Sequence, residues 1–345
     1  MRTKWIILIA ALQVLVLAYM AGEREWVLHT GRTIYLRSAP MDPRDAMRGD
    51  YVRVSYDMSS VPRGLCRGSL ASTNRSSEAV RPDTRVYAIL RTNEDGVAEF
   101  VSLSGERPSD GLFVRGRTER SWGDHLQVRY GLEALFVQQG KGRELGPSLD
   151  WESVRVPLEI KAAVRRDGLA VINGHRRCAL GIGLQLDTKE QPGAGTRRQR
   201  QAVGATVRLF NASSNDLAVV DLPEGGSLAL VSVRSWGETH WRWVNEAQAQ
   251  PVPQASQVVV LKPGESRSIK VSFLDPQWSV LLEAKGRPAG QGPVRFADVK
   301  ENLFDPFRLE YRPPDRAACA NLPNAGLIWH GRLASRAFNP SGSVE

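Results

Sequence analysis

The stretch Ser38–Tyr56, S-A-P-M-D-P-R-D-A-M-R-G-D-Y-V-R-V-S-Y, carries the densest structural signals in the chain. Asp42 is suited to cap a helix N-terminus, and Pro43 then occupies the first helical position, where no N–H is needed. Asp45 adds a carboxylate near the positive end of that turn. Gly49 suits a left-handed residue at the C-terminal end. The stretch therefore predicts a short helical turn that ends at Gly49 and leads directly into a strand.

Residues of the strand that follows should alternate between two faces. One face holds Val52, Val54 and Tyr56, and the other holds Tyr51, Arg53 and Ser55. At the corner itself, Asp50 could accept backbone N–H bonds or pair with Arg44 or Arg48. A purely architectural corner explains these residues without any chemistry, so the stretch defines a structure before it defines a function.

The composition describes a basic globular protein. The chain has 345 residues, a length that is enough for two domains of ordinary size. Of these residues 42% are hydrophobic, and the formal net charge is +9. The basic residues are scattered and usually stand beside acidic ones, whereas nucleic-acid binders concentrate them on one element. We therefore expect no nucleic-acid partner and interpret the charge as a solvated or membrane-proximal surface.

The N-terminus predicts a membrane anchor over residues 1–25. Arg2 and Lys4 precede the apolar run Trp5–Ala21, which would span about 25 Å as a helix. This length lies between a signal-peptide core and a transmembrane helix. Because no clean small-x-small cleavage site follows, we favour an uncleaved helix that continues to a left-handed stop at Gly31. The positive flank predicts a single-pass protein of the bacterial inner membrane, with its N-terminus in the cytoplasm and its body in the periplasm.

The remaining chain is mainly β. Alternating or β-rich runs separated by turn signals predict a β-rich domain over 26–177 and a second domain over 179–345. In the first domain the strands are Thr33–Arg37, Arg85–Thr92, Val97–Leu103, Leu112–Thr118, Leu126–Tyr130, Val154–Ile160 and Leu169–Ile172, and Tyr130–Val137 could form one helical turn. In the second they are Leu180–Asp187, Ala205–Phe210, Leu217–Leu222, Leu228–Val233, Val258–Leu261, Ser268–Phe273, Ser279–Glu283, Phe307–Tyr311 and Leu327–Leu333. Their spacing and the turn L-K-P-G-E at Leu261–Glu265 predict an immunoglobulin-like β-sandwich.

Several motifs resemble one family. G-D-Y-V-R-V-S-Y at Gly49–Tyr56 resembles the signature of the GDYXXLXY family of membrane-anchored bacterial proteins, with Val54 in the Leu position. Further matches are R-G-R at Arg115–Arg117, V-R-Y-G-L-E-A-L-F-V at Val128–Val137, G-K-G-R-E-L at Gly140–Leu145 and D-G-L-A-V-I-N-G at Asp167–Gly174. The resemblance covers about residues 26–177. It implies an N-terminal anchor, an extracytoplasmic domain and a multi-spanning membrane partner, and it brings no established activity.

We therefore interpret the chain as a non-enzymatic interaction or assembly module for an integral-membrane partner. The partner-binding candidates are Asp42, Arg44, Asp45, Arg48, Gly49, Asp50, Tyr51, Tyr56, Tyr130, Glu133, Arg143 and Glu144.

Enzymatic alternatives find less support. A signal-peptidase-like protease would need a lysine to activate a serine such as Ser38, but no lysine lies between Lys4 and Lys141 and arginine cannot deprotonate. The five histidines are isolated, so we expect no metal and no cofactor. An enzyme whose site is assembled from residues distant in sequence remains a further alternative.

The second domain offers one alternative function, the binding of a cell-envelope glycan. Trp236, Trp241 and Trp243 lie within eight residues, and exposed rings there would form a flat apolar platform. Buried rings would instead belong to the core. The three cysteines, Cys66, Cys178 and Cys319, permit one intramolecular disulfide, for which Cys178–Cys319 is the candidate, or three thiols.

Overall fold

The computed structural model of the chain describes residues 2–41, 51–72, 80–93, 95–119, 125–138, 154–192, 198–233, 239–246, 250–284, 287–288, 292–299 and 306–344. The chain forms two compact units. The first comprises Met1–Gly146 and Leu158–Arg176, and the second comprises Pro147–Pro157 and Arg177–Glu345. The segment 154–157 groups with the second unit because Arg155 exchanges backbone hydrogen bonds with Ile182 and the Cys178 N–H donates to the Pro157 carbonyl.

The first unit begins with helix α1, Arg2–Thr30, as the sequence predicts. Its apolar side chains from Trp5 to Met20 are exposed, and the segment Lys4–Thr30 is long and apolar enough to cross a membrane, since it contains an 18-residue stretch with a mean hydropathy of 2.2. A signal sequence would meet the same criteria of length and composition. The last turn differs from the rest, because Val27 is completely buried against the body of the unit.

Gly31 ends this helix, although for a different reason than the predicted left-handed stop. Positive φ values occur at other glycines of the described chain and not at Gly31. A Cβ at Gly31 would instead lie 2.5 Å from the Val27 carbonyl oxygen and 3.0 Å from the Val164 nitrogen. Close packing between the helix end and the neighbouring strand therefore requires glycine at this position.

The first unit is mainly β, as predicted. Its strands are β1 Arg32–Met41, β2 Tyr51–Tyr56, β3 Ser60–Pro62, β4 Cys66–Arg67, β5 Arg85–Thr92, β6 Val97–Ser104, β7 Leu112–Thr118, β8 His125–Arg129, β9 Ala134–Phe136, β10 Leu158–Val164 and β11 Ala170–Arg177, with a short helix α2 at Ser69–Ser72. In the described residues they form one sheet in the order β11-β10-β1-β6-β5-β7-β8-β3, while β2 pairs with β1 and β9, and β4 pairs with β6. The predicted bounds of β5 and β7 agree with the structure at both ends.

The second unit is built of several small sheets. Its strands are β12 Leu180–Pro192, β13 Arg198–Asn211, β14 Leu217–Val220, β15 Leu228–Ser232, β16 Thr239–Trp243, β17 Val258–Leu261, β18 Ser266–Ser272, β19 Ser279–Ala284, β20 Arg287–Pro288, β21 Val294–Arg295, β22 Phe307–Tyr311 and β23 Leu333–Ala334, with helix α3 at Arg316–Cys319. The described pairings are β12-β13-β18, β14-β17, β15-β22-β23 and β16-β19-β20, with β21 also on β19. The immunoglobulin-like arrangement stays a prediction.

One strand of the second unit was predicted wrongly. Leu327–Leu333 forms a 3₁₀ turn at Ala325–Leu327, a single bridge between Ala218 and Ile328, and then β23. Trp329 nevertheless packs inward as expected, since its ring stacks on Tyr311 at a centroid distance of 6.1 Å. The run was apolar because it covers the core, which does not require a strand.

The cysteines form no disulfide. Cys66, Cys178 and Cys319 are all buried thiols, so the Cys178–Cys319 pairing is wrong. Cys178 belongs to the main core of the second unit, whereas Cys319 belongs to a separate small cluster with Ala218 and Val220.

Candidate functional site

The segment 51–56 of the family signature and the segment 128–137, which are far apart in the chain, meet in the first unit. β2 pairs antiparallel with β9, with Val52 opposite Leu135. Val52, Val54 and Tyr56 are buried and Arg53 is exposed, so the predicted alternation of the strand is confirmed. The two segments therefore form one structural unit rather than two independent motifs.

Two tyrosines lock this junction. The Tyr56 hydroxyl donates a hydrogen bond to the Leu132 carbonyl at 2.7 Å, and the Tyr130 hydroxyl donates one to the Met58 carbonyl at 2.8 Å. Burial, with a smaller contribution from the Glu133 carboxylate, raises the pKa of both phenols far above the ordinary value. Both side chains therefore act as neutral donors that satisfy buried backbone carbonyls.

Glu133 completes the junction. Its carboxylate accepts a hydrogen bond from the Tyr130 N–H, and its backbone carbonyl accepts one from the Val54 N–H at 3.0 Å. The helical turn predicted for Tyr130–Val137 is wrong, because the chain here turns at Gly131, with a φ of +78°, and enters β9. Pairing with β2 supplies the backbone partners that a helical turn would otherwise provide.

Tyr130 also contacts β7 through a glycine. A Cβ at Gly116 would lie 2.8 and 2.9 Å from two carbon atoms of the Tyr130 ring and 2.7 Å from a methyl carbon of Val128. Since real Cβ atoms do not approach this closely, the position requires glycine. The R-G-R segment at Arg115–Arg117 therefore packs its central residue against Tyr130 on one face of β7 and presents both arginines on the other.

Three arginines form a row across neighbouring strands. Arg85 on β5 lies opposite Arg117 on β7, and Arg117 lies opposite Arg129 on β8. We call Arg85, Arg117 and Arg129 the arginine row. Like charges directly opposite each other destabilise a sheet, so the row has a structural cost that a purely structural surface would avoid.

Acidic neighbours offset this charge only in part. Arg117 forms a salt bridge with Asp83 at 2.7 Å, and Arg115 forms one with Asp167 at 3.0 Å. Asp167 is shared with Arg165, which donates to it at 2.7 Å. Arg129 lies 3.9 Å from Glu119, and Arg85 makes no ion pair with a residue that the structure describes. The surface therefore retains net positive charge.

The arginines line a concavity of about 250 Å³, which we call the arginine groove. Its lining residues are Arg85, Arg115, Gly116, Arg117, Arg129, Tyr130, Gly131 and Leu169. Three of the sequence motifs contribute to it, namely Arg115–Arg117, the segment from Val128, and the segment from Asp167. Sequence reasoning noted these motifs but missed Arg85 and the row, because the register that aligns the arginines is a property of the folded sheet.

Four of the twelve predicted partner-binding residues lie in the described part of the chain. Tyr56, Tyr130 and Glu133 lie at the junction of β2 and β9, and Tyr51 is described as the first residue of β2. The others, Asp42, Arg44, Asp45, Arg48, Gly49, Asp50, Arg143 and Glu144, lie outside the described residues, as does Trp236.

Trp241 and Trp243, the two described tryptophans of the predicted platform, pack against the core of the second unit. Trp241 is 6% exposed, and Trp243 stacks on Trp278 at a centroid distance of 5.4 Å while its indole N–H donates to the Gln277 carbonyl at 2.8 Å. The platform predicted for Trp241 and Trp243 is therefore not formed by these rings, because both face inward from β16.

Ser38 and possible metal ligands were the remaining candidates for catalytic chemistry. The Ser38 side chain is buried, and its hydroxyl donates to the Leu158 carbonyl at 3.1 Å. Within the described part of the chain, no group of three or more histidine, cysteine, aspartate or glutamate side chains is arranged to hold a metal ion.

Comparison with known proteins agrees with the motifs. Residues 13–174 match the family described as GDYXXLXY protein, a range that includes α1 from Gln13 onward, the junction and the arginine groove. No curated protein and no solved structure matches the chain.

Proposed function

Because residues 13–174 form a domain of the GDYXXLXY family, we propose that the chain is a membrane-anchored module that binds an acidic segment of an integral-membrane partner through the arginine groove. The arginine row carries this proposal. Arg85, Arg117 and Arg129 are aligned on adjacent strands at a cost in stability, and a bound carboxylate would relieve their mutual repulsion.

Arginine suits such recognition for geometric reasons. Its planar guanidinium presents paired donors that match a carboxylate bidentately, and such charge-assisted hydrogen bonds are the stronger class. Four arginines line the groove, so a segment with two or more carboxylates could engage them together. We infer an acidic peptide partner on this basis.

The N-terminal helix supports the hypothesis that the partner is a protein of the same membrane. The side chains of α1 are exposed from Trp5 to Met20, whereas its C-terminal part contacts the body through buried Val27 and through the salt bridge between Glu23 and Arg165 at 3.1 Å. We propose that the helix remains attached and crosses the bacterial inner membrane once. Arg2 and Lys4 favour a cytoplasmic N-terminus and a periplasmic body.

The character of the groove supports binding rather than catalysis. Its lining consists of four arginines, two glycines, a leucine and Tyr130. Arginine does not deprotonate in proteins, and the Tyr130 hydroxyl is engaged by the Met58 carbonyl. A general acid–base reaction would need a group with a pKa near neutrality, and the lining described for this groove supplies none.

Capture of membrane proteins by the full-length chain tests the proposal. The wild type and the variant R85Q/R129Q would be solubilised in mild detergent, and captured proteins that resist alkaline extraction from membranes would be quantified. We expect the double variant to capture at least about tenfold less partner than the wild type, because each charge-assisted pair contributes about 1.5–3 kcal/mol. Addition of an oligo-glutamate peptide should reduce capture by the wild type as well.

A matched control is available on the same strand. Arg91 on β5 is exposed and lies 3.9 Å from Glu99, so R91Q removes one positive charge from the same unit away from the groove. R91Q should retain full capture. Equal capture by the wild type and R85Q/R129Q would disprove the proposed role of the groove.

A further inference from the structure

A second concavity lies where α1 joins the body of the first unit. It encloses about 630 Å³, and its lining residues are Trp26, Thr30, Arg32, Gly111, Leu112, Phe113, Val164, Arg165 and Arg166. We call it the collar pocket. It shares no lining residue with the arginine groove, and the binding of a protein partner does not account for it.

The position of the collar pocket along α1 is set by the sequence of the helix. The apolar run ends at Ala21, and Trp26 and Thr30 follow in the same continuous helix. At 1.5 Å per residue, Trp26 lies about 7.5 Å beyond the end of the apolar run and Thr30 about 13.5 Å beyond it. If α1 crosses a bilayer, these distances correspond to the headgroup layer, where exposed tryptophan is enriched. Trp26 is 64% exposed.

The pocket brings three arginines to that depth. Arg165 is held in place by Asp167 at 2.7 Å and by Glu23 of the helix at 3.1 Å. Arg32 donates to the Thr92 hydroxyl at 2.9 Å. Arg166 is exposed and makes no ion pair with a described residue. The carboxylates of Asp167 and Glu23 are thus already bound to Arg165, and neither Arg32 nor Arg166 forms an ion pair with a described residue.

The pocket also has an apolar wall. Phe113 and Val164 are buried, and Leu112 is half-buried. A free inorganic anion would not use such a wall, whereas a phospholipid presents a phosphodiester next to its glycerol and the first acyl carbons. The combination of arginines, an apolar wall and an exposed tryptophan therefore favours a lipid over a small anion.

We propose that the collar pocket binds the phosphodiester headgroup of an anionic phospholipid from the leaflet on the side of the folded body. Arg32 and Arg166 contact the phosphate, and Trp26 lies at the glycerol level. The bound lipid holds the body at a fixed height above the membrane surface, because the same pocket is built from the helix end and from the sheet.

Native mass spectrometry of the full-length protein in detergent tests this site. Phosphatidylglycerol and phosphatidylcholine with identical acyl chains would be added in equal amounts, and the retained lipid would be measured for the wild type and R32Q/R166Q. We expect the wild type to retain phosphatidylglycerol at least about fivefold over phosphatidylcholine, and the double variant to lose about tenfold of that retention. Inorganic phosphate at 10-fold excess should not displace the lipid.

The groove variant R85Q/R129Q is the matched control, because it removes the same charge from the same unit and should keep full lipid retention. R166Q alone, a change in an exposed turn, should lose part of the retention if the double variant unfolds. Equal retention of the two lipids, unchanged retention in the R166Q and R32Q/R166Q variants, or displacement by inorganic phosphate would overturn the proposal. Failure of partner capture with intact lipid retention would contradict only the proposed function.

Discussion

Tyr56 and Tyr130 make reciprocal hydrogen bonds: the hydroxyl of Tyr56 reaches the carbonyl of Leu132, and the hydroxyl of Tyr130 reaches the carbonyl of Met58. Each ring thus fastens the segment that carries the other. Because the Tyr130 ring also packs against Gly116, the same junction fixes β7, whose Arg115 and Arg117 line the arginine groove. The last tyrosine of the family signature is therefore a structural residue that supports the arginine groove.

Removal of one hydroxyl from this junction should lower stability without changing the fold. Y56F leaves the buried Leu132 carbonyl without its donor, which should cost about 1–2 kcal/mol. For a domain of this size the melting temperature of the first unit should fall by about 2–6 °C. Thermal unfolding of the full-length protein in detergent measures the change.

The control for this prediction is Y35F. The ring of Tyr35 lies under the Arg176 guanidinium at 3.6 Å, and its hydroxyl makes no hydrogen bond among the described residues. Y35F should melt within about 1 °C of the wild type, which corresponds to a few tenths of a kcal/mol. Equal melting temperatures for Y56F and the wild type would show that the Tyr56 hydroxyl is dispensable.

A methyl group at Gly116 should disturb both the junction and the groove. G116A places its Cβ within 2.7–2.9 Å of Val128 and Tyr130, and the buried ring cannot withdraw without losing its hydrogen bond. We expect a destabilisation of about 1–3 kcal/mol, together with weaker partner capture. G64A serves as the comparison, because a Cβ at Gly64 would meet no atom within 4 Å. A stable, capture-competent G116A would contradict the packing role of this glycine.

The buried carboxylate of Glu159 on β10 forms ion pairs with two arginines. The Glu159 side chain is 4% exposed and lies 3.2 Å from Arg37 and 2.7 Å from Arg176. E159Q loses the charge that both partners bind, and we expect a cost of about 2–4 kcal/mol in denaturant unfolding. E99Q is the comparison, because Glu99 lies 3.9 Å from Arg91, whose side chain is exposed. Its substitution should cost less than about 1 kcal/mol. Similar effects of the two substitutions would show that burial of the Glu159 pair does not matter.

Asp167 should make the stability of the first unit depend on pH. Hydrogen bonding from Arg165, together with the Leu169 N–H and the charge of Arg115, lowers the pKa of Asp167 well below its ordinary value. A folded-state pKa below the unfolded value gives a stabilisation that is present above about pH 4 and is lost as the pH falls through the folded-state pKa. D167N should therefore be less stable than the wild type at pH 7, and the difference should shrink between pH 4 and pH 2.

Melting curves of the wild type and D167N from pH 7 to pH 2 check this sign. A difference in melting temperature between the wild type and D167N that stays constant over the whole pH range would mean that the carboxylate charge is not the source of the stabilisation. At pH 7, D167N should also loosen the attachment of α1, because Arg165 links Asp167 to Glu23.

Local patterns in the sequence predicted much of the fold. The alternation of Val52, Val54 and Tyr56 identified β2 and its buried face, and the bounds of β5 and β7 followed from turn signals at their ends. These features depend on neighbours in the chain. The N-terminal apolar helix, the mainly β character and the match of residues 13–174 to the GDYXXLXY family are likewise confirmed, since their signals lie in composition and motif.

Features that depend on distant residues were missed. Tyr130–Val137 turns and enters β9 at Ala134–Phe136 instead of forming a helical turn, because it pairs with β2. That partner lies about eighty positions earlier, so no local pattern reveals it. The arginine row exists because the register places Arg85 opposite Arg117 and Arg117 opposite Arg129, which no local pattern encodes. The only local signal for this surface was the motif R-G-R at Arg115–Arg117. The packing of Gly116 against Tyr130 in the folded sheet explains that motif.

Site-specific photo-crosslinking in native membranes tests the central claim most directly. A photoreactive residue in place of Leu169, which lines the groove, should crosslink the full-length protein to an integral-membrane protein, and the product should disappear when R85Q/R129Q is added. The same residue in place of Val101, which is 48% exposed on β6, should give no such product. Crosslinks from Leu169 that persist in R85Q/R129Q, or that are absent while Val101 crosslinks, would contradict the account.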